Sequence, residues 1–288
     1  MKTFRNFRIA LAVILVMAAT LLLLSRSHPT PMMRFIGSLQ LSPSSLLIGA
    51  TASATIGTTL FWLLVSFGLG RVYCATFCPI GLLSDIPTWI RRASASPSRP
   101  FRPFRFRQAK KIRFPFLFFY VLTLLLCQPL LAAILEPWQI YRNMLSPLNP
   151  SLLDSTWLAI GAPAATGFLT GILSFIALLV WSWFSGRRFC TDICPLGTVM
   201  GLASRYSPVS IEIDPDRCVN CMKCEQECPA ECVKVVSRYV DNTRCVRCLE
   251  CLHVCPANAI GFSTNRMRPA TPLMRRVSQK TAKTTPPK

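Results

Sequence analysis

Four charge-free apolar runs divide the first two thirds of the chain. Residues 9 to 25 (IALAVILVMAATLLLLS) lie between Arg8 and Arg26, and as a helix rising about 1.5 Å per residue they just reach across a bilayer. Residues 35 to 70 carry no charge, and the stretch from Leu46 to Gly70 predicts a second span. The third run, 114 to 135, lies between Arg113 and Glu136, with Pro115 near its start and Pro129 as a kink. A fourth span falls within 155 to 186, most apolar from Phe168 to Phe184. Beyond residue 205 the runs stop and a small soluble domain begins, carrying eight of the 12 acidic residues between Glu212 and Glu250. The first run follows Lys2, Arg5 and Arg8, as a signal peptide would, but no A-x-A cleavage site comes after it. We therefore read it as a retained helix.

Composition agrees with that pattern. Hydrophobic residues make up 51% and charged residues 15%, well short of the roughly 25% charged of a soluble domain, so an ordinary cytosolic enzyme and a disordered chain are both excluded. A net charge of +20 raises the question of a nucleic-acid partner. The charges cluster beside apolar runs, however, and flank a membrane instead. The N-terminus and the connection between spans two and three hold Lys2, Arg5, Arg8, Arg71, Arg91, Arg92, Arg99, Arg102, Arg105, Arg107, Lys110, Lys111 and Arg113. The other two connections hold only Arg26, Arg34 and Arg142. Positive charge marks the cytoplasmic side, so the expectation is a multi-pass protein with both termini inside. The basic, aromatic stretch from Arg99 to Phe116 fits topology and anionic lipid better than RNA, and the basic end from Ser263 reads as a disordered tail.

The chemistry lies in two repeats. DPDRCVNCMKCEQECPAECVKV from Asp214 aligns with DNTRCVRCLECLHVCPANAIGF from Asp241, each containing C-x2-C-x2-C-x3-C-P. In such a run the first three cysteines hold one cluster and the fourth ligates the other. Cys218, Cys221, Cys224 and Cys255 are thus expected to hold one [4Fe-4S] cluster, and Cys245, Cys248, Cys251 and Cys228 a second. Zinc gives no reason for the three-residue step before C-P, and disulfides are disfavoured on a reducing cytoplasmic side. Residues 209 to 264 resemble the bacterial two-cluster ferredoxin domain.

The second repeat is GRVYCATFCPIG from Gly70 and GRRFCTDICPLG from Gly186, each following an even-numbered span. Cysteines at i and i+4 face the same way on a helix. Cys74, Cys78, Cys190 and Cys194 are either a third redox or metal site at the membrane edge or small buried residues in helix exits. Arg71 and Arg187 are topology anchors, partners for thiolate charge, or both. The expected fold is a four-helix membrane bundle with a two-fold internal repeat (1–205), a cytoplasmic α+β ferredoxin domain (206–264) and a basic tail (265–288).

Four spans, paired CxxxCP motifs and a paired CxxCxxCxxxCP domain resemble the NapH-type membrane ferredoxins of periplasmic nitrate reductase systems. Related cores occur in NosR-type and CcoG-type proteins; neither the large N-terminal domain of the former nor the extra C-terminal domain of the latter is expected here. The resemblance implies a bacterial inner-membrane quinol dehydrogenase component in contact with membrane lipid and the quinone pool. It would pass electrons from quinol to a periplasmic ferredoxin or multihaem cytochrome subunit of a reductase. An alternative is an assembly or regulatory factor that reduces a metal or senses redox state for a respiratory metalloenzyme.

Weaker signals have plainer readings. Cys127 reads as a packing residue within the third span, and Cys232, aligned with Ala259, as a buried Ala-like residue, not a ninth ligand. His28 reads as a solvated loop residue or a proton acceptor. His253 reads as a surface or cluster-tuning residue. Glu136, before Pro137 and Trp138, reads as a quinol-headgroup contact at the outer interface or a helix end with an aromatic anchor. Gly49-Ala50-Thr51 resembles a covalent flavin motif but lacks its acidic residue, and reads as a small-residue helix contact.

Overall fold

The computed structural model describes residues 2–24, 39–43, 52–94, 103–107, 111–126, 134–149 and 164–264. Helix α1 (Lys2–Leu24) is followed by α2 (Ala52–Leu69), then three short helices, α3 (Tyr73–Thr76), α4 (Pro79–Leu83) and α5 (Asp85–Ala93). Helices α6 (Arg113–Leu125), α7 (Pro137–Leu145) and α8 (Ala164–Ser185) come next. A π-helical turn at Phe189–Ile193 leads into α9 (Pro195–Ser204). The C-terminal part runs β1 (Ser210–Ile213), α10 (Lys223–Gln226), β2 (Val233–Lys234), β3 (Tyr239–Val240), α11 (Glu250–Val254) and β4 (Ile260–Ser263). β1 pairs antiparallel with β4, Ser210 opposite Ser263, and β2 pairs with β3. The first ladder closes the C-terminal part by joining its two ends.

Two described helical segments are long and apolar enough to cross a membrane, Phe4–Leu24 and Thr166–Ser185. Thr55–Leu69 and Arg113–Leu125 are apolar but shorter. Each of the four predicted runs thus contains a helix, but the third is not one helix from 114 to 135. α6 ends at Leu125, and Glu136 is already the extended residue before α7. Residues 44–51 and 127–133 lie outside the described part, and with them Gly49-Ala50-Thr51 and Cys127; so do His28 and the tail.

Helix α7 was not anticipated from sequence. It buries Trp138, Ile140, Tyr141 and Leu145, with Pro137 in its first turn where no backbone N–H is needed. It lies so close to α8 that a Cβ on Gly171 would stand 2.7 Å from the Asn143 Cβ. On its other side Trp138, Tyr141 and Leu145 pack with Val16, Ala19 and Leu23 of α1. Thr20 Oγ1 and Tyr141 Oη form a 2.6 Å hydrogen bond, and Asn149 Nδ2 donates to the Leu23 carbonyl over 2.9 Å. α1 is therefore packed into the fold along its length.

The C-terminal part shares one core with the segments after α2 and α8. Cys74, Cys78, Cys190, Cys194, Phe189 and Met200 belong to the same buried cluster as Ile211, Val233, Val246 and Leu252. Clasps add to this contact. Arg5 meets Glu250 at 3.5 Å and His253 Nδ1 at 3.2 Å, and Arg92 meets Glu227 at 2.9 Å. Residues 103–107, read from sequence as a lipid-facing basic stretch, instead run along this domain: the Phe104 N–H donates to the Gln226 carbonyl and the Arg107 N–H to that of Glu231. Phe104 is buried, with Arg91 stacked over its ring at 5.1 Å.

Candidate metal centres

In the C-terminal domain, the two cysteine runs fold as local copies. Asn220 and Arg247 have φ 55°, Met222 and Leu249 have 60° and 64°, and Glu231 and Asn258 have 49° and 48°. Each pair is separated by the repeat offset. Left-handed backbone at non-glycine residues is costly, so its recurrence at matched places marks a loop shape that the fold enforces. Each loop then enters a short helix carrying the third cysteine, Cys224 in α10 and Cys251 in α11.

Each loop wraps a void. The first is lined by Cys218, Cys221, Cys224 and Cys255 with Ile213, Val235, Ala259 and Ile260. The second is lined by Cys228, Cys245, Cys248 and Cys251 with Ile211, Val233, Cys232 and Val246. The structure thus brings together each predicted ligand quartet, including the cysteine exchanged between copies. Among the described residues, no three Cys, His, Asp or Glu side chains are grouped as a single metal ion requires. Four soft sulfur donors lining one apolar pocket are a donor set that fits an iron-sulfur cluster.

The two voids differ in setting. Cys221 is exposed and Cys218 and Cys255 are half-buried, whereas Cys228, Cys245, Cys248 and Cys251 are all buried. Burial pushes the Cys224 and Cys248 thiols up to about 12, while a hydrogen bond from Cys232 brings Cys245 down to about 7. Deprotonating Cys224 and Cys248 is therefore unfavourable until a metal neutralises the charge. Cys232 is buried as expected, but its Sγ lies 3.5 Å from that of Cys228.

The second pair of motifs folds as follows. Gly70 (φ 76°) and Gly186 (φ 57°) turn the chain out of α2 and α8 with left-handed backbone. Cys74 and Cys190 then sit in one helical turn each, and Cys78 and Cys194 are extended residues that start α4 and α9, each with Pro next. The paired cysteines therefore do not lie on one continuous helix, because C-P opens a new helix at the second cysteine. All four thiols are buried and close enough to feel one another's charge.

The arginines are not surface anchors: Arg71 is 1% and Arg187 0% exposed. Each crosses to the opposite motif. Arg187 Nη1 donates to the Cys74 carbonyl at 3.2 Å, and Arg71 Nη2 donates to the Cys190 carbonyl. The last glycines complete the pattern, since a Cβ on Gly81 would overlap the Cys74 carbonyl oxygen and one on Gly197 that of Cys190. Other contacts differ. Arg187 makes a bidentate pair with Asp85, Nε to Oδ1 at 2.7 Å and Nη2 to Oδ2 at 2.5 Å. Arg71 Nη1 reaches the Thr243 and Arg244 carbonyls at 3.4 Å, next to Cys245. The Arg187 N–H donates to the Pro229 carbonyl at 2.9 Å, next to Cys228. Both arginines thus join the four-thiol region to the buried void. The shared G-R in the sequence signalled a common role, but not the exchange.

Glu136 is fully buried, and Trp138 is buried beside it. Ser42 Oγ donates to Glu136 Oε2 at 2.9 Å, Tyr120 Oη donates to Oε1, and Gln139 Nε2 donates to Ser42 Oγ at 3.3 Å. One residue back in the 39–43 segment, the Leu41 N–H donates to Tyr73 Oη at 3.1 Å. Tyr73 directly precedes Cys74, so this polar network ends beside the four thiols. Only the lone acid after an apolar run hinted at it.

Two family models match the chain, both described as 4Fe-4S binding domains. One covers residues 51–97 and 168–211, the other 211–234 and 238–261. The methylamine utilization ferredoxin-type protein MauN of Paracoccus denitrificans is 31% identical over 62% of this chain and 55% of its own length. The putative electron transport protein YccM of Escherichia coli is 27% identical over 59% and 44%, and the ferredoxin-type protein NapH of Haemophilus influenzae 26% over 62% and 54%. The chain spans about half the length of these relatives. No solved structure matches it.

Proposed function

From the premise that the chain belongs to the NapH-type 4Fe-4S ferredoxin-like proteins, we propose that it is a membrane-embedded electron-transfer component that oxidises quinol and relays the electrons towards a periplasmic reductase. The observation that carries this is a run of thiol-lined sites leading outward from the apolar helices. Cys74, Cys78, Cys190 and Cys194 lie where α2 and α8 end, the buried quartet adjoins them through Arg71 and Arg187, and the third quartet opens at Cys221. Bound clusters supply one-electron carriage, which a two-electron donor such as quinol needs in order to feed single-electron acceptors. The eight cysteines of the ferredoxin domain hold two of them, and the four-thiol region is a third centre.

The membrane part of the proposal rests on exposed apolar faces. Phe7, Ile14 and Met17 on α1 and Leu173, Val180 and Phe184 on α8 are exposed, as are Leu60 and Leu64 on α2 and Phe118 and Leu125 on α6. Apolar surface on that scale is costly in water and is covered by lipid. In this reading the four helices are spans, both termini are cytoplasmic, and the partner is a periplasmic ferredoxin or multihaem cytochrome.

Quinol oxidation to quinone releases two electrons and two protons, so proton acceptors are required. Glu136 takes one of the two protons in this reading, an acid buried among apolar helices and hydrogen-bonded to Tyr120 and Ser42, and the other leaves to water. The test is reduction of the iron-sulfur absorbance by a quinol analogue added to the membrane-embedded protein. Bleaching in the parent, slowed about tenfold or more in Glu136→Gln with unchanged iron, is the expected result. No bleaching in the parent sinks the dehydrogenase reading in favour of an assembly or regulatory role. Zinc in place of iron sinks the cluster assignment itself.

A further inference from the structure

We infer that Cys232 is a hydrogen-bond donor to the thiolates of the buried quartet, and that it raises the reduction potential of the cluster held there without ligating it. The inference rests on the two-cluster reading but not on quinol as the substrate. The two voids provide an internal control. Cys232 lines the second, and the matching residue in the first is Ala259. At the first place the Ala259 N–H donates to Cys255 Sγ at 3.3 Å, and among the described residues no side-chain donor stands beside it. What the buried quartet has in addition is the Cys232 thiol, 3.5 Å from Cys228 Sγ, with Cys245 lining the same void. Both are ligands of the same predicted cluster.

Such a thiol matters because of where the charge sits. Reduction adds a negative charge that spreads onto the ligand sulfurs, and a donor aimed at them stabilises the reduced form more than the oxidised one. A weak S–H donor counts for more here than at the surface, since Cys232 is 1% exposed and its partners are buried. Burial alone pushes a cluster towards lower potential by penalising the added charge. The thiol opposes that penalty at the buried quartet, and the half-exposed quartet, where water does the same, has only a methyl group.

The full chain in detergent, with clusters reconstituted, is titrated by EPR alongside Cys232→Ala, Cys232→Ser and Ala259→Cys. Cys232→Ala is expected to lower one midpoint by about tenfold in the reduction equilibrium, about 59 mV for one electron, leaving the other midpoint and the iron content unchanged. Cys232→Ser keeps a donor and stays closer to the parent. Ala259→Cys supplies the missing thiol and raises the other midpoint. The inference is overturned if both midpoints are unmoved in Cys232→Ala, if both move together, or if Cys232→Ala and Cys232→Ser both lose one cluster's iron, which would make Cys232 a ligand. Iron missing from the parent protein would instead sink the two-cluster reading.

Discussion

The ferredoxin domain and the region that follows α2 and α8 each contain a motif twice, and in each the copies exchange a side chain. In the domain, Cys255 joins the first copy's quartet and Cys228 the second's. After α2 and α8, Arg187 crosses to the first motif's Cys74 and Arg71 to the second motif's Cys190. One exchange supplies sulfur to a void; the other supplies a cation to the backbone that presents the sulfur. Exchange makes each site depend on residues from both copies. The difference is that losing a ligand empties a site, whereas losing an arginine leaves the thiols in place but unsupported.

The largest effect expected separates the two exchanges. Cys228→Ser, a change in the first copy, is expected to remove the cluster of the second copy's cysteines. Cys255→Ser is expected to do the reverse. Iron content falls by about half in each, and EPR distinguishes which signal is lost. If Cys228→Ser instead erases the signal that depends on Cys218 and Cys221, each copy keeps its own ligands and the comparison fails.

The arginines come next in size. Arg187→Ala strands Asp85 beside a buried cavity, and removing one partner of a buried pair costs roughly 3 to 5 kcal/mol. The low end, about 3 kcal/mol, is expected, because the Asp85 side chain keeps 30% of its exposure and Arg8 stands 4.0 Å away. Arg71→Ala leaves only carbonyls short of a donor, about 1 to 3 kcal/mol. Denaturant unfolding of the detergent-solubilised protein measures the difference. Equal losses would mean that Asp85 adds nothing to the second arginine's role.

The cysteine quartets were legible from sequence because the ligand spacing is itself the geometry: three thiols on one loop and a fourth after a proline-directed turn. The G-R-x-x-C-x3-C-P motif was legible as a repeat, but its workings were not. Nothing in G-R-x-x-C says that the arginine turns inward, since an arginine beside an apolar run is ordinarily a surface charge. Its burial depends on carbonyls contributed by Cys74, Cys190, Thr243 and Arg244, which lie far apart in sequence. Helix α7 went unread for a similar reason: its buried face mixes Gln139 and Asn143 with Trp138 and Ile140, and only close packing against α8 makes that a helix. Cys232 was read as an alanine because alignment compares types, not contacts.

The smallest effect tests whether the two G-R-x-x-C-x3-C-P copies are as alike as their backbones. Gly81 and Gly197 both pack on a cysteine carbonyl, so an added Cβ forces a backbone shift in either copy, roughly 1 to 3 kcal/mol. The surroundings differ. A Cβ on Gly197 would also meet Arg71 Nη2 at 2.6 Å, whereas on Gly81 the next side-chain atom is the Cys78 Cβ at 3.5 Å. Gly197→Ala therefore disturbs the exchanged arginine as well as the thiol-bearing turn, and is expected to cost about 1 kcal/mol more than Gly81→Ala. Gly57→Ala, with nothing within 4 Å of the new Cβ, serves as a control and is expected to be neutral or slightly stabilising in its helix. In an Arg71→Ala background the extra cost of Gly197→Ala should disappear, because its target is gone. If it persists, the strain lies in the Cys190 carbonyl alone, and the two glycines are equivalent despite their different neighbours.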